Sequence, residues 1–180
     1  HMGDAAIRND QQVVSLIQSL TKNYNEFVAI NAILPDFLGR INLLVEEITQ
    51  SYNLFIKGMA ELRAEQSRTL QQALRNGEPS SEITRLVERV DALANVETAA
   101  ADFMLAMQRG MLTRDLKNFD DALKAGVEIG EILQKLIDAT RDPAQKQRIT
   151  ELLNVAIQAG KSVEQLKQTG GENNTTTAKR

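Results

Sequence analysis

Between Val13 and Leu62 the apolar residues fall at Val13, Ile17, Leu20, Tyr24, Phe27, Leu34, Leu38, Ile41, Val45, Ile48, Tyr52, Phe55, Met59 and Leu62. Their steps alternate four and three, with Asn31 in the one polar slot, which is a heptad seam sustained over seven repeats. The seam passes Pro35 without losing phase, whereas a loop there would reset it. No good N-cap residue precedes Pro35. The spacing therefore predicts one long helix, kinked near Pro35, from about Ala5 to Asn76. The proline costs ~3 kcal/mol and frees the carbonyl four residues back, that of Asn31. Two helices joined tightly at Leu34-Pro35-Asp36 are the alternative.

The rest of the chain continues in helical periods. Arg75-Asn76-Gly77-Glu78-Pro79-Ser80-Ser81 is a stop and restart, with Gly77 suited to the position after a helix and Ser80 or Ser81 to capping the next. A second helix from about Glu82 to Gly110 presents Ile83, Leu86, Val90, Leu93, Ala100, Met104, Met107 and Met111. A phase shift at Gly110–Thr113 lets Thr113 cap a third helix, which Thr140-Arg141-Asp142-Pro143 ends. Asp142 with Gln145 forms a capping box, and Pro143 sits at the first helical position of a fourth helix that runs to about Gln168. Short connections make neighbouring helices antiparallel. The fold class is thus all-α, an antiparallel up-down bundle of four helices over residues 5–168. His1-Met2 reads as a cloning remnant, residues 1–4 as tag or disordered chain, and residues 169–180 as a disordered tail or linker.

Composition narrows the chemistry. With no cysteine, neither a disulfide framework nor a thiolate-ligated metal site can form, and the sole histidine is His1. Glu-x-x-His motifs, a nucleophile elbow and a glycine-rich phosphate loop are all missing from the sequence. Neither catalysis, nor a cofactor, nor a metal is expected. A net charge of -3, from 21 basic and 24 acidic residues, lacks the basic footprint of nucleic-acid binding. No apolar run approaches the ~18 residues of a membrane span, so any membrane link is expected through segments outside this chain.

The stretch Glu97-Thr98-Ala99-Ala100-Ala101-Asp102-Phe103-Met104-Leu105, a short break, and a helix ending in Thr140-Arg141-Asp142-Pro143-Ala144-Gln145 resemble a known pattern. It is that of the extracytoplasmic sensor domains of bacterial chemoreceptors (methyl-accepting chemotaxis proteins) and related sensor kinases, in the four-helix-bundle or helical-bimodular class. The resemblance covers about Glu97 to Gln168, with the long first helix as architectural support. It implies a ligand-sensing domain on the periplasmic side of an inner-membrane protein, binding small organic acids or amino acids near its membrane-distal end. One departure stands out: the last helix of that class is long and leads towards a membrane span, whereas here it is expected to stop at Thr169-Gly170-Gly171.

The residues offer arginines for such a ligand, because a planar guanidinium fork suits a carboxylate. Arg68, Arg75, Arg85, Arg141 and Arg148 fall near the bundle end that holds the Gly77–Ser81 and Thr140–Pro143 connections. Arg68, Arg85 and Arg148 are the candidate ligand-binding residues; a solvated face is the competing reading. Asn31 and Pro35 are the candidate hinge, against a register-setting asparagine at a kink. Gly126 and Gly130 should face Ala156 and Gly160 in close packing or around a small guest. The seam before Pro35 exceeds what one bundle needs, so a homodimer through the first helix is expected. The alternative function is a structural or secreted interaction protein that binds partner helices.

Overall fold

The computed structural model describes the backbone of residues 2–177, and the side chains of residue 11 and residues 13–170. Among the described residues there are four helices and no strand: α1 (Met2–Asn76), α2 (Ser80–Thr113), α3 (Leu116–Ala139) and α4 (Pro143–Thr177). The protein is an all-α four-helix protein. It divides into two compact units, His1–Asn42 and Leu43–Arg180.

In the first unit α1 is helical throughout, with Pro35 inside it and no loop at residues 34–36. Its apolar residues lie open: Ile17 is 56% exposed, Leu20 59%, Phe27 63% and Leu38 49%. Asn31 is also exposed, and its Nδ2 donates to the carbonyl of Phe27 at 2.8 Å. Within Val13–Asn76, α1 holds an unburied 18-residue window long and apolar enough to cross a membrane by length and composition. That revises the expectation that no such stretch exists. Scattered polar residues between Asn31 and Asn42 break its runs without lowering its average enough to exclude it.

In the second unit the same seam is covered. Ile48, Phe55, Met59 and Leu62 are buried with Leu93, Val96, Phe103, Leu133, Ile149 and Val163 in a core shared by all four helices. Cross-helix contacts give the direction of each neighbour. On α1 and α4, Gly58 lies against Leu152, Gln66 donates to Gln145, and Glu47 accepts from Ser162. As one number rises the other falls, so these helices are antiparallel. The same holds for α2 and α3, through Arg89 with Thr140 and Gly110 with Phe119. It holds for α3 and α4 through Gly130 with Leu153 and Asp120 with Lys167. The second unit is an up-down-up-down bundle.

The helix ends follow local chemistry, with three corrections. Gly77 adopts a φ of +66° and turns the chain out of α1, as its lack of a Cβ allows. Asp142 Oδ1 accepts from the backbone N–H groups of Ala144 and Gln145 at 2.8 and 3.1 Å, and Pro143 opens α4. The cap of α2, however, is Pro79 without a side-chain bond, and both serines are already helical. The cap of α3 is Asp115, which accepts from Lys117, and not Thr113. Arg114 in a left-handed conformation, φ 56°, makes the break one residue later than the phase shift suggests. Finally, α4 passes through Thr169-Gly170-Gly171 to Thr177, where a disordered tail was expected. Each glycine weakens a helix by only ~1 kcal/mol, and no proline stands there to stop propagation.

Candidate functional site

The bundle end formed by the end of α1, the start of α2, the end of α3 and the start of α4 holds several polar side chains that cross between helices, among them Arg89, Gln66, Gln145 and Arg148. Of the arginines expected there, Arg85 is paired with Glu82 on its own helix, through Nε at 2.9 Å and Nη2 at 2.5 Å. That hydrogen bond holds the Glu82 carboxyl below its usual range and pushes the Arg85 guanidinium up. Arg148 reaches from α4 to α1, with Nη1 2.6 Å from Glu65 Oε2 and Nη2 3.7 Å from Glu61. Arg68 donates its Nε to the carbonyl of Ala64 at 3.2 Å. Arg75 is exposed in the last turn of α1. The charge of Arg141 acts on Glu82 together with those of Arg85 and Arg89. Arg85 thus holds Glu82, with the charges of Arg89 and Arg141 acting on that carboxylate from further away, and Arg148 holds Glu65 and Glu61.

Arg89, which was not among the expected ligand-binding arginines, is the unusual one. It is 9% exposed, and its Nη2 donates to Thr140 Oγ1 at 2.5 Å. That hydroxyl in turn donates to the Leu136 carbonyl, also at 2.5 Å. Among the described residues Arg89 forms no ion pair. Burial lowers its pKa, the nearby positive charge of Arg85 adds to that, and Glu82 and Asp142 oppose it. A guanidinium has five N–H donors, and a single hydroxyl leaves most of them without a protein acceptor.

Beside it lies Gln66, 2% exposed, whose Nε2 donates to Gln145 Oε1 at 3.2 Å and whose Oε1 is buried with no partner. Leu62, Gln66, Arg89, Leu93, Leu136 and Ile149 line a small pocket of about 10 Å³. That is room for roughly one water-sized group. The site therefore pairs a buried positive charge with a buried acceptor behind an apolar wall. Both residues sit in core slots of their helices. Leu86, Arg89, Leu93, Val96, Ala100, Phe103, Met107 and Gly110 alternate steps of three and four, and Gln66 follows Met59 and Leu62 in the seam of α1. A charge or an amide in such a slot was the available signal.

The other expected features have simpler settings. Gly126 meets the Phe103 ring and Gly130 the Leu153 side chain, each at 3.8 Å, and nothing approaches Gly160. The GxxxG pair therefore receives side chains from two different helices and makes no close backbone contact with α4. Next to it, Tyr52, Phe55, Phe103, Gly126 and Ala156 line an apolar pocket of about 20 Å³. Among the described residues, no three His, Asp or Glu side chains group closely enough to hold a metal.

No family model, curated protein or solved structure matches this chain.

Proposed function

We propose that this protein is a ligand-sensing helical bundle that takes a small organic anion at the loop end of its second unit. One observation carries the reading: Arg89 is buried, donates to a single hydroxyl and forms no ion pair among the described residues, with Glu82 and Asp142 acting on it only from a distance. A buried charge is costly unless it is paired, and an anionic guest supplies the missing pair. Arg89 replaces Arg85 and Arg148 as the residue that touches the ligand, since those two already hold carboxylates. Arg68 and Arg85 lie outside the pocket lining and serve to draw anions towards that end. The pocket is smaller than any organic acid, so a bound anion favours a packing in which α1 and α2 stand slightly apart. A ligand that binds one of two packings shifts the balance between them, which is how a bundle reports occupancy. The long α1 carries Gln66 and is the element through which such a shift is transmitted. Together with the chemoreceptor-like stretch from Glu97, this supports a signal-transduction receptor domain on the extracytoplasmic side of a membrane. The apolar window of α1 is compatible with attachment to that membrane.

Thermal-shift screening against small organic acids and amino acids tests it. A stabilising acid should lose its effect in Arg89→Met and keep it in Arg40→Ala. If no acid stabilises the protein, or if the hit survives Arg89→Met, the site is wrong.

A second reading is favoured by the exposed seam of the first unit. Its four-three spacing is the one that α2–α4 cover further along α1, so the surface fits another helix of the same period. A second copy of this chain is that helix, and the protein is a dimer through α1. Sedimentation across micromolar concentrations checks it; a strict monomer would remove the dimer and leave the ligand site standing.

A further inference from the structure

The unpartnered oxygen of Gln66 is not free to be exchanged for its amide nitrogen, and the reason lies outside the pocket. Glu65 Oε2 is held by Arg148 Nη1 at 2.6 Å, and Glu65 Oε1 accepts from Gln145 Nε2 at 3.1 Å. A carboxylate only accepts, so Gln145 must turn its nitrogen to Glu65 and its oxygen to Gln66. That oxygen accepts from Gln66 Nε2, so Gln66 must leave its own oxygen buried and unpartnered, and Gln66 lines the pocket that Arg89 also lines. Four side chains thus pass one donor-acceptor order from the exposed rim to the pocket. The usual reciprocal bond of a capping box, from Gln145 back to its cap residue, gives way to this arrangement: Asp142 caps α4, and the Gln145 side chain crosses to α1.

We infer that Gln66 is the selectivity residue of the pocket and that Arg148, Glu65 and Gln145 are positioning residues that hold its oxygen inward. The inference rests on the reading of this pocket as an anion site. A ligand that fits must accept from Arg89 and also donate to Gln66. An anion carrying an O–H or N–H group next to its charged group meets both needs. An anion that only accepts leaves the Gln66 oxygen buried without a partner, or faces its repulsion.

Glycolate and acetate, which differ by one hydroxyl, are the probes. Titration calorimetry or chemical-shift titration on the full chain should find glycolate about tenfold tighter, the size of one buried hydrogen bond. Cutting the relay should let the Gln66 amide turn over and bring the ratio close to one, in Glu65→Ala and in the isosteric Glu65→Gln. The latter preserves shape, so it answers even if Glu65→Ala folds poorly. Gln66→Leu should also erase the preference, while Lys167→Ala at the other end of the bundle should keep it. Equal binding of the two probes, lost in Arg89→Met, would overturn the selectivity and leave the anion site intact. Binding of neither probe, with Arg89→Met behaving like wild type, would remove the anion site and the selectivity with it.

Discussion

Asn31 and Gln66 occupy the same phase of one heptad seam, five repeats apart, yet they meet different conditions. Asn31 is exposed and turns its amide back to the Phe27 carbonyl of its own helix. Gln66 is buried and sends its amide across to α4. The apolar residues divide in the same way, Leu20 and Phe27 open in the first unit, Met59 and Leu62 closed in the second. Period alone therefore says which residues share a face. Whether that face becomes a core depends on there being helices to lie on it, and a polar residue in it becomes a site only once it is covered.

The contrast can be broken most severely in the covered half. Leu62→Ala should cost about 2–5 kcal/mol in urea denaturation, because a side chain 1% exposed leaves a cavity. Leu38→Ala, in the open half, should stay within about 0.5 kcal/mol when measured on dilute protein. Next in size, Leu20→Glu should weaken self-association at least tenfold by sedimentation, since burying a leucine contributes ~1.5–3 kcal/mol and the charge removes that gain. Asn31→Leu should act in the opposite direction and tighten the dimer by about 1 kcal/mol, because an asparagine in a seam costs stability while it fixes register. A gain in the bundle itself is expected from Arg89→Met. Replacing a buried charge that has no ion-pair partner should raise the melting temperature slightly while abolishing any response to anions.

The smallest effect concerns acid. The hydrogen bond from Arg85 lowers the Glu82 carboxyl below its ordinary 4.5. A lowered carboxyl contributes stability that is present above the unfolded value and is lost as pH falls through the folded one. The difference in melting temperature between wild type and Glu82→Gln should therefore shrink as pH falls from above 4.5 through the lowered value. The effect is slight, because the pair is solvated. A difference that grows towards acid would show that the pair is not formed.

The seam, the four helices and the start of α4 were legible because each rests on a repeated or strongly local signal: a sustained period, or a cap and a proline together at Asp142-Pro143. The break before α3 was less so, since a left-handed Arg114 has no sequence signature of its own. The burial of Arg89 was hidden by one residue. Val90 is the more apolar choice four steps after Leu86, and choosing it puts Arg89 on the surface. The three-four alternation through Leu93, Val96, Ala100, Phe103 and Met107 selects Arg89 instead. Hydropathy taken residue by residue prefers the valine; phase across the whole helix prefers the arginine. What no pattern could supply was the state of each arginine's partners, which depends on distances such as Arg148 to Glu65 across two helices.

The close approach at Gly110 has a mechanical consequence. A Cβ there would stand 2.9 Å from the tip of the Phe119 ring, so the ring sits in a notch that only a glycine leaves open. Gly110→Ala would fill that notch, so the ring would have to turn aside or α2 and α3 part locally beside the Arg114 turn.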